Sequence, residues 1–306
     1  MKKTIIYLIV FLLLTCSPAH LLTASSTAGR VQGEFLRIGI SGRAAGMGEA
    51  FCAVADNASA VYWNPAGLVQ LKSKELSATY TNLVGSIRIA NLVYGQGMGE
   101  KGALGFEVNT LYVEETRRET GTGNDIGSFV NYNACLSVVY SHECRDNLSV
   151  GAGVKGLNFQ LDSEKASGMA VDLGMLYKIK EGLKAGLAIQ NIGTEVQFEG
   201  DESAPLATNL KAGIGYRISE RGLIASDINK PQYGSGSLSL GGEYGISRVV
   251  MMRCGYKLRE GGNDLGSLDG ISIGLGINIK GFSFDYAFVP FGEFERMNRV
   301  SLTVIF

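Results

Sequence analysis

Histidine is nearly missing from this chain. There are two in 306 residues, His20 and His142. A Ser–His hydrolase needs its imidazole at a buried site. His20 lies in or beside the N-terminal leader, and His142 falls in a predicted short turn next to Glu143 and Cys144. No catalytic residue is therefore assigned. The five cysteines, Cys16, Cys52, Cys135, Cys144 and Cys254, have neither C-x-x-C nor metal-ligand spacing, so no metal is expected. Disulfides are permitted in an exported protein, but pairing among Cys52, Cys135, Cys144 and Cys254 is not readable, and four small buried residues is the simpler account. A net charge of −1 argues against a nucleic-acid partner. Gly46-Met47-Gly48 and Gly121-Thr122-Gly123 lack the strand–loop–helix setting of a nucleotide loop, so no cofactor is expected. After Leu14 no apolar run approaches the roughly 20 residues of a membrane-spanning helix.

The N-terminus is an export signal by pattern. Met1-Lys2-Lys3 is basic, Ile5–Leu14 is apolar, and Thr15-Cys16-Ser17-Pro18 breaks the run. Cleavage after Ala24 or after Ala28 fits the small-residue rule; Leu13-Leu14-Thr15-Cys16 resembles a lipoprotein box imperfectly. With 42 Gly, 5 Pro and 19% charged residues, an exported chain of mean hydropathy +0.12 has the profile of an outer-membrane barrel.

From Lys74 the chain alternates with period two. Val130, Tyr132, Ala134, Leu136, Val138 and Tyr140 share one face, and Ile271, Ile273, Leu275, Ile277 and Ile279 another. Alternation alone does not separate a membrane barrel from a soluble sandwich, because each has one apolar face. Length does. The segments near 74–84, 86–97, 101–113, 128–141, 147–160, 168–178, 182–192, 206–217, 221–230, 236–247, 249–259, 269–280, 281–290 and 297–306 are mostly longer than sandwich strands and number about fourteen. Long connections at Glu114–Gly127, Thr194–Pro205, Glu260–Leu268 and Phe291–Arg296 alternate with short ones, as in outer-membrane barrels. Tyr132 and Tyr140 stand roughly 20 Å apart along the membrane normal, near the spacing of two aromatic girdles. The last strand ends in Phe306, a terminus of the kind that barrel-assembly machinery reads.

Arg37–Leu71 reads differently. Met47, Ala50, Phe51 and Val54 fall at helical spacing from Arg43, Asp56 and Asn57 offer caps, and Asn64-Pro65 restarts a short turn. The predicted architecture is all-β: residues 1–24 a signal peptide, 25–72 a periplasmic segment and small helical plug, and 73–306 a transmembrane antiparallel barrel of about fourteen strands around it.

Phe35-Leu36-Arg37-Ile38-Gly39, Gly42 through Phe51, and Ala55-Asp56-Asn57-Ala58-Ser59-Ala60-Val61-Tyr62-Trp63-Asn64-Pro65-Ala66-Gly67-Leu68 together resemble the PorV/PorQ family, within the wider FadL-type outer-membrane barrels. The resemblance implies a plugged fourteen-stranded barrel. It also implies one of two roles. PorV-type members help type IX secretion carry cargo with a C-terminal signal to the surface; FadL-type members take up small hydrophobic compounds, which leave through a lateral opening. The partners implied are outer-membrane lipids, barrel-assembly machinery, and secretion components with cargo or a hydrophobic molecule. A gating or ligand-binding role falls on Arg43, Gly46, Met47, Gly48, Asp56, Asn57, Trp63, Asn64, Pro65 and Gly67. Gly39, Gly42, Gly46 and Gly48 are expected to let the plug pass close to the wall, and Arg43, Glu49 and Asp56 to pair with polar lumen residues.

Overall fold

The computed structural model describes residues 31–83, 87–99, 101–121, 123–200, 202–260, 269–291 and 295–306. The leader and both cleavage positions lie outside the described residues. Fourteen strands follow one another: β1 Glu75–Asn82, β2 Arg88–Gly97, β3 Gly102–Arg118, β4 Asp125–Arg145, β5 Leu148–Leu161, β6 Glu164–Lys180, β7 Leu183–Gly193, β8 Asn209–Arg217, β9 Gly222–Pro231, β10 Ser237–Gly245, β11 Val250–Arg259, β12 Ile271–Ile279, β13 Phe282–Phe291 and β14 Glu295–Ile305. Each pairs antiparallel with its neighbours, and β1 closes on β14 from Glu75↔Ile305 to Asn82↔Asn298. Closure leaves no open edge within the barrel wall.

The direction of the alternation identifies the solvent. On β4, Leu136, Val138 and Tyr140 are 61%, 51% and 49% exposed, whereas Cys135, Ser137 and Val139 face inward and are buried. Ile273, Leu275 and Ile279 on β12 point outward, and Ser272 points in. The apolar face is outside along strand after strand, which is favourable only against hydrocarbon. Tyr132 and Tyr140 both lie on that outer face.

Two expectations need correction. The polar stretch Glu114–Gly127 is not a long connection: β3 runs on to Arg118 and β4 starts at Asp125, paired through Thr116↔Ser128. This hairpin rises beyond its neighbours, where both faces meet water and alternation vanishes. His142 belongs to the end of β4 rather than to a turn, opposite Gly102.

The helix expected from Arg43 through Val54 is also absent. Only Gly42–Gly46 is α-helical; Gly48 and Glu49 then take positive φ values of 63° and 66° and turn the chain. A second helical turn, Ala60–Trp63, and a 3₁₀ segment, Pro65–Gln70, follow. Met47, Ala50, Phe51 and Val54 are buried because the plug is surrounded on every side, so its apolar residues need no single face. Asn64 does cap the 3₁₀ segment, its side chain accepting from the Ala66 amide.

Candidate functional site

The plug sits in sockets cut for it by glycine. A methyl at Gly46 would lie 2.9 Å from the Gly274 Cα, and one at Gly42 2.8 Å from the Asp285 carbonyl oxygen. The wall reciprocates: a methyl at Gly241 would meet the Met47 carbonyl oxygen at 2.3 Å, and one at Gly151 the Pro65 carbonyl carbon at 2.4 Å. Backbone therefore packs on backbone, which explains much of the glycine excess. Gly39 and Gly67 serve the plug itself instead. A methyl at Gly39 would strike the Trp63 ring, and one at Gly67 the Ala55 carbonyl oxygen.

Ion pairs fasten the side of the plug that faces β10–β14. Arg43 donates to Asp56 at 2.5 Å and to both Glu243 oxygens at 2.7 and 2.9 Å, with its guanidinium 5.3 Å from the Phe51 ring centre. Burial opposes the Arg43 charge, but Asp56 and Glu243 outweigh it and hold the group firmly protonated. Arg253 joins the same Glu243 at 2.7 Å and Asp285 at 2.6 Å. Glu49 pairs with Lys257 and lies 3.8 Å from Arg299. Burial pushes its carboxyl up, yet these cations hold it at about 2.

Hydrogen bonds fasten the rest. Asp227 on β9 accepts from the Phe51 and Cys52 amides, each at 2.7 Å. Asn64 donates to the Cys52 carbonyl at 2.9 Å and across to the Met175 carbonyl at 3.1 Å. Trp63 donates to the Ile40 carbonyl at 3.1 Å, and the Lys211 ammonium stands 4.3 Å from its ring centre. Asn57 accepts from the Ser59 amide and hydroxyl.

The ten residues singled out in the sequence do not form one pocket. Arg43, Asp56 and Asn57 line a charged recess of about 310 Å³ at the short-turn end, with Glu243, Arg253 and Asp285. Gly46, Met47, Gly48, Trp63, Asn64, Pro65 and Gly67 are packing and fastening residues of the buried plug. Among the described residues, Cys52, Cys135, Cys144 and Cys254 are free.

The larger opening is at the other end, where the long loops gather. A vestibule of about 580 Å³ is walled by Phe35, Leu111, Val113 and Phe159 and rimmed by Glu34, Glu114, Glu115, Asn131 and Asn133. Residues 31–38 reach it by pairing Gln32 beside Leu206 and setting Phe35 edge-on to Phe159, 6.1 Å between centres. Of these lining residues only Phe35 stands in a motif read from the sequence. Leu111, Val113 and Phe159 sit in β3 and β5 as ordinary inner-face positions, Glu34 and Phe35 lie in a 3₁₀ turn at Glu34–Arg37, and only barrel closure gathers them.

Two apolar clusters divide the lumen. One surrounds Trp63, Phe51 and Met47 and includes Val93 and Val139; the other surrounds Phe35, Leu36 and Phe159 and includes Ile89 and Leu111. Between them runs a buried polar belt of Asn91, Glu107, Asn109, Ser137, Lys155, Asp172 and Gln190. Lys155 pairs with Asp172 at 2.7 Å, and Gln190 donates to the Tyr62 carbonyl.

The family described as type IX secretion system protein PorV matches residues 25–230. The fold is that of solved hydrocarbon-channel barrels. The toluene transporter TodX of Pseudomonas putida superposes with TM-score 0.63 at 12% identity, covering 86% of this chain and 97% of that one. A FadL homologue of Pseudomonas aeruginosa gives 0.61 at 12% identity, over 87% and 98%. The monoaromatic hydrocarbon channel CymD gives 0.59 at 15%, over 88% and 98%. No curated protein matches in sequence.

Proposed function

The chain belongs to the PorV family of type IX secretion system proteins, and on that footing we propose that this outer-membrane transport barrel is a non-enzymatic cargo carrier working at its long-loop mouth. The short-turn end faces the periplasm and the vestibule faces outward. The leader is removed on export, the Phe306 terminus is read during barrel assembly, and the outer face is solvated by outer-membrane lipids. The observation that carries this reading is the filled lumen. Met47, Phe51, Tyr62 and Trp63 are at most 2% exposed, and the plug is tied to β9, β10 and β11 by Asp227, Glu243 and Lys257. A barrel closed in this way offers partners its mouths rather than a pore. The outer mouth has the larger recess and the projecting β3–β4 hairpin.

The test replaces Glu114 and Glu115 by Lys together and follows cargo on intact cells by protease accessibility. Delivery is expected to fall severalfold while heat-modifiable gel mobility is unchanged. Unaltered delivery in this variant and in an Asn131→Lys, Asn133→Lys variant would remove the vestibule from the mechanism.

A second reading, uptake of small hydrophobic compounds in the FadL manner, draws on one feature. Behind the vestibule the apolar cluster reaches Leu157, which also lines a shallow recess of about 500 Å³ on the lipid side with Leu136, Gly156 and Met169. Saturable accumulation of a monoaromatic hydrocarbon by vesicles carrying the protein, abolished by Gly156→Trp, would favour it over cargo carriage.

A further inference from the structure

We propose that the polar belt holds a hard, oxygen-seeking cation of the Na⁺ or Ca²⁺ class against Glu107, between the wall and the plug. Glu107 is 3% exposed, and no cation lies within ion-pair distance of it among the described residues. Lys155, the nearest basic residue of the belt, is engaged with Asp172 and the Asn191 amide oxygen, both at 2.7 Å. Both Glu107 oxygens accept hydrogen bonds, from Asn91 Nδ2 at 2.8 Å and Ser137 Oγ at 3.1 Å; the two donors suit the ionised carboxylate, and burial without a nearby cation opposes its charge. Two carboxylates, Glu107 and Asp172, thus share one ammonium in a layer closed off from water, and an uncompensated buried charge is costly.

The neighbouring groups are polar atoms left without partners, two amide oxygens that accept and a phenol hydroxyl that can both accept and donate. The Asn91 Oδ1, Asn109 Oδ1 and Tyr62 hydroxyl atoms are buried and have no hydrogen-bond partner. The orientation of Asn91 is set by its bond to Glu107: Nδ2 must face the carboxylate, so Oδ1 is necessarily the free end. Asn91 and Asn109 are direct cross-strand partners, and Glu107 lies two residues before Asn109 on the same inner face. One carboxylate, two amide oxygens and a phenol oxygen, completed by water, make the oxygen-only set that Na⁺ and Ca²⁺ accept. A transition metal is not indicated, since among the described residues no three His, Cys, Asp or Glu side chains converge. Water alone would satisfy the free acceptors but leave the charge. Because Tyr62 belongs to the plug and the other groups to β2 and β3, the ion would bind the plug to a part of the wall where, among the described residues, no ion pair joins the two.

The experiment measures the thermal midpoint of the detergent-solubilised protein by heat-modifiable mobility. The salts are NaCl, CaCl₂ and N-methyl-D-glucamine chloride at one ionic strength. The expected result is a saturable rise of several degrees in NaCl or CaCl₂ over the organic cation, absent in Glu107→Gln and reduced in Asn109→Ala. Asn109→Ala removes one oxygen and no charge, so it reports on the site even if Glu107→Gln fails to assemble. Equal midpoints in the three salts for the unaltered protein, or a cation effect that survives in Asn109→Ala at full size, would overturn the proposal in favour of bound water alone.

Discussion

Gly255 on the barrel wall and Gly48 on the plug touch through their backbones: a methyl on Gly255 would sit 2.0 Å from the Gly48 nitrogen. No side-chain adjustment relieves such a contact, since the atom struck is main chain. Gly255→Ala is therefore expected to unseat this edge of the plug at about 1–3 kcal/mol, the usual cost of overpacking. Gly156→Ala, on the open lipid side with nothing within 4 Å, is the control and should lie within about 0.5 kcal/mol of the parent. Urea midpoints with limited proteolysis of the plug distinguish them: Gly255→Ala exposes the plug while the barrel stays resistant.

The Arg43–Glu243 pair supports a second prediction. Both side chains are largely buried, at 14% and 12% exposure. Arg43→Met leaves Asp56 and Glu243 short of a cation and is expected to cost about 3 kcal/mol. Glu243→Gln alone should be costly too, because Arg253 loses the same carboxylate. The double variant should cost less than the sum, with a coupling of about 1–3 kcal/mol. Additive effects in a urea series would mean that the pair contributes nothing specific.

How far these features could be read without the structure differs from element to element. The β12 strand was plain, since Ile271 to Ile279 alternates without a break. The direction of that alternation was not readable, because apolar-out and apolar-in patterns are identical on paper. The hairpin between Val113 and Val130 was lost because a strand leaving the bilayer has water on both faces and no reason to alternate. The false helix from Arg43 to Val54 has the opposite cause: in a plug enclosed all round, apolar residues at any spacing are buried, and chance placed four of them at helical intervals. The fastening partners Asp227, Glu243 and Lys257 lie about 180 to 210 positions from the plug residues they hold, and no local pattern announces such pairs.

Glu49 gives the plug a dependence on pH. Its carboxyl is held at about 2 against an ordinary 4.5. A depressed value means that the folded state favours the ionised form. The stabilisation is complete above the unfolded value and disappears as pH falls through about 4.5 toward about 2. Its size is on the order of 3 kcal/mol. Plug resistance to proteolysis should therefore decline over that acidic window. Glu49→Gln should start lower at neutral pH and show a smaller decline. An unchanged acid profile in Glu49→Gln would assign the effect to other carboxylates.

Asn64 offers the sharpest test of how the plug is held. Its amide nitrogen bridges two carbonyls, Cys52 in the plug and Met175 in the wall, while its oxygen caps Ala66. Asn64→Asp keeps the shape and the cap but removes both donated bonds, and at neutral pH sets a buried negative charge against two carbonyl oxygens. A protonated Asp could still donate one bond. The variant should therefore be destabilised by more than about 2 kcal/mol at pH 7 and regain part of that loss on acidification, because protonation relieves the buried charge. Asn64→Ala loses the same bonds without adding charge, so its deficit should not change with pH in that way. If the two variants lose the same stability at every pH, then the carbonyls of Cys52 and Met175 are being satisfied by something other than Asn64, and the bridge is incidental to the seating of the plug.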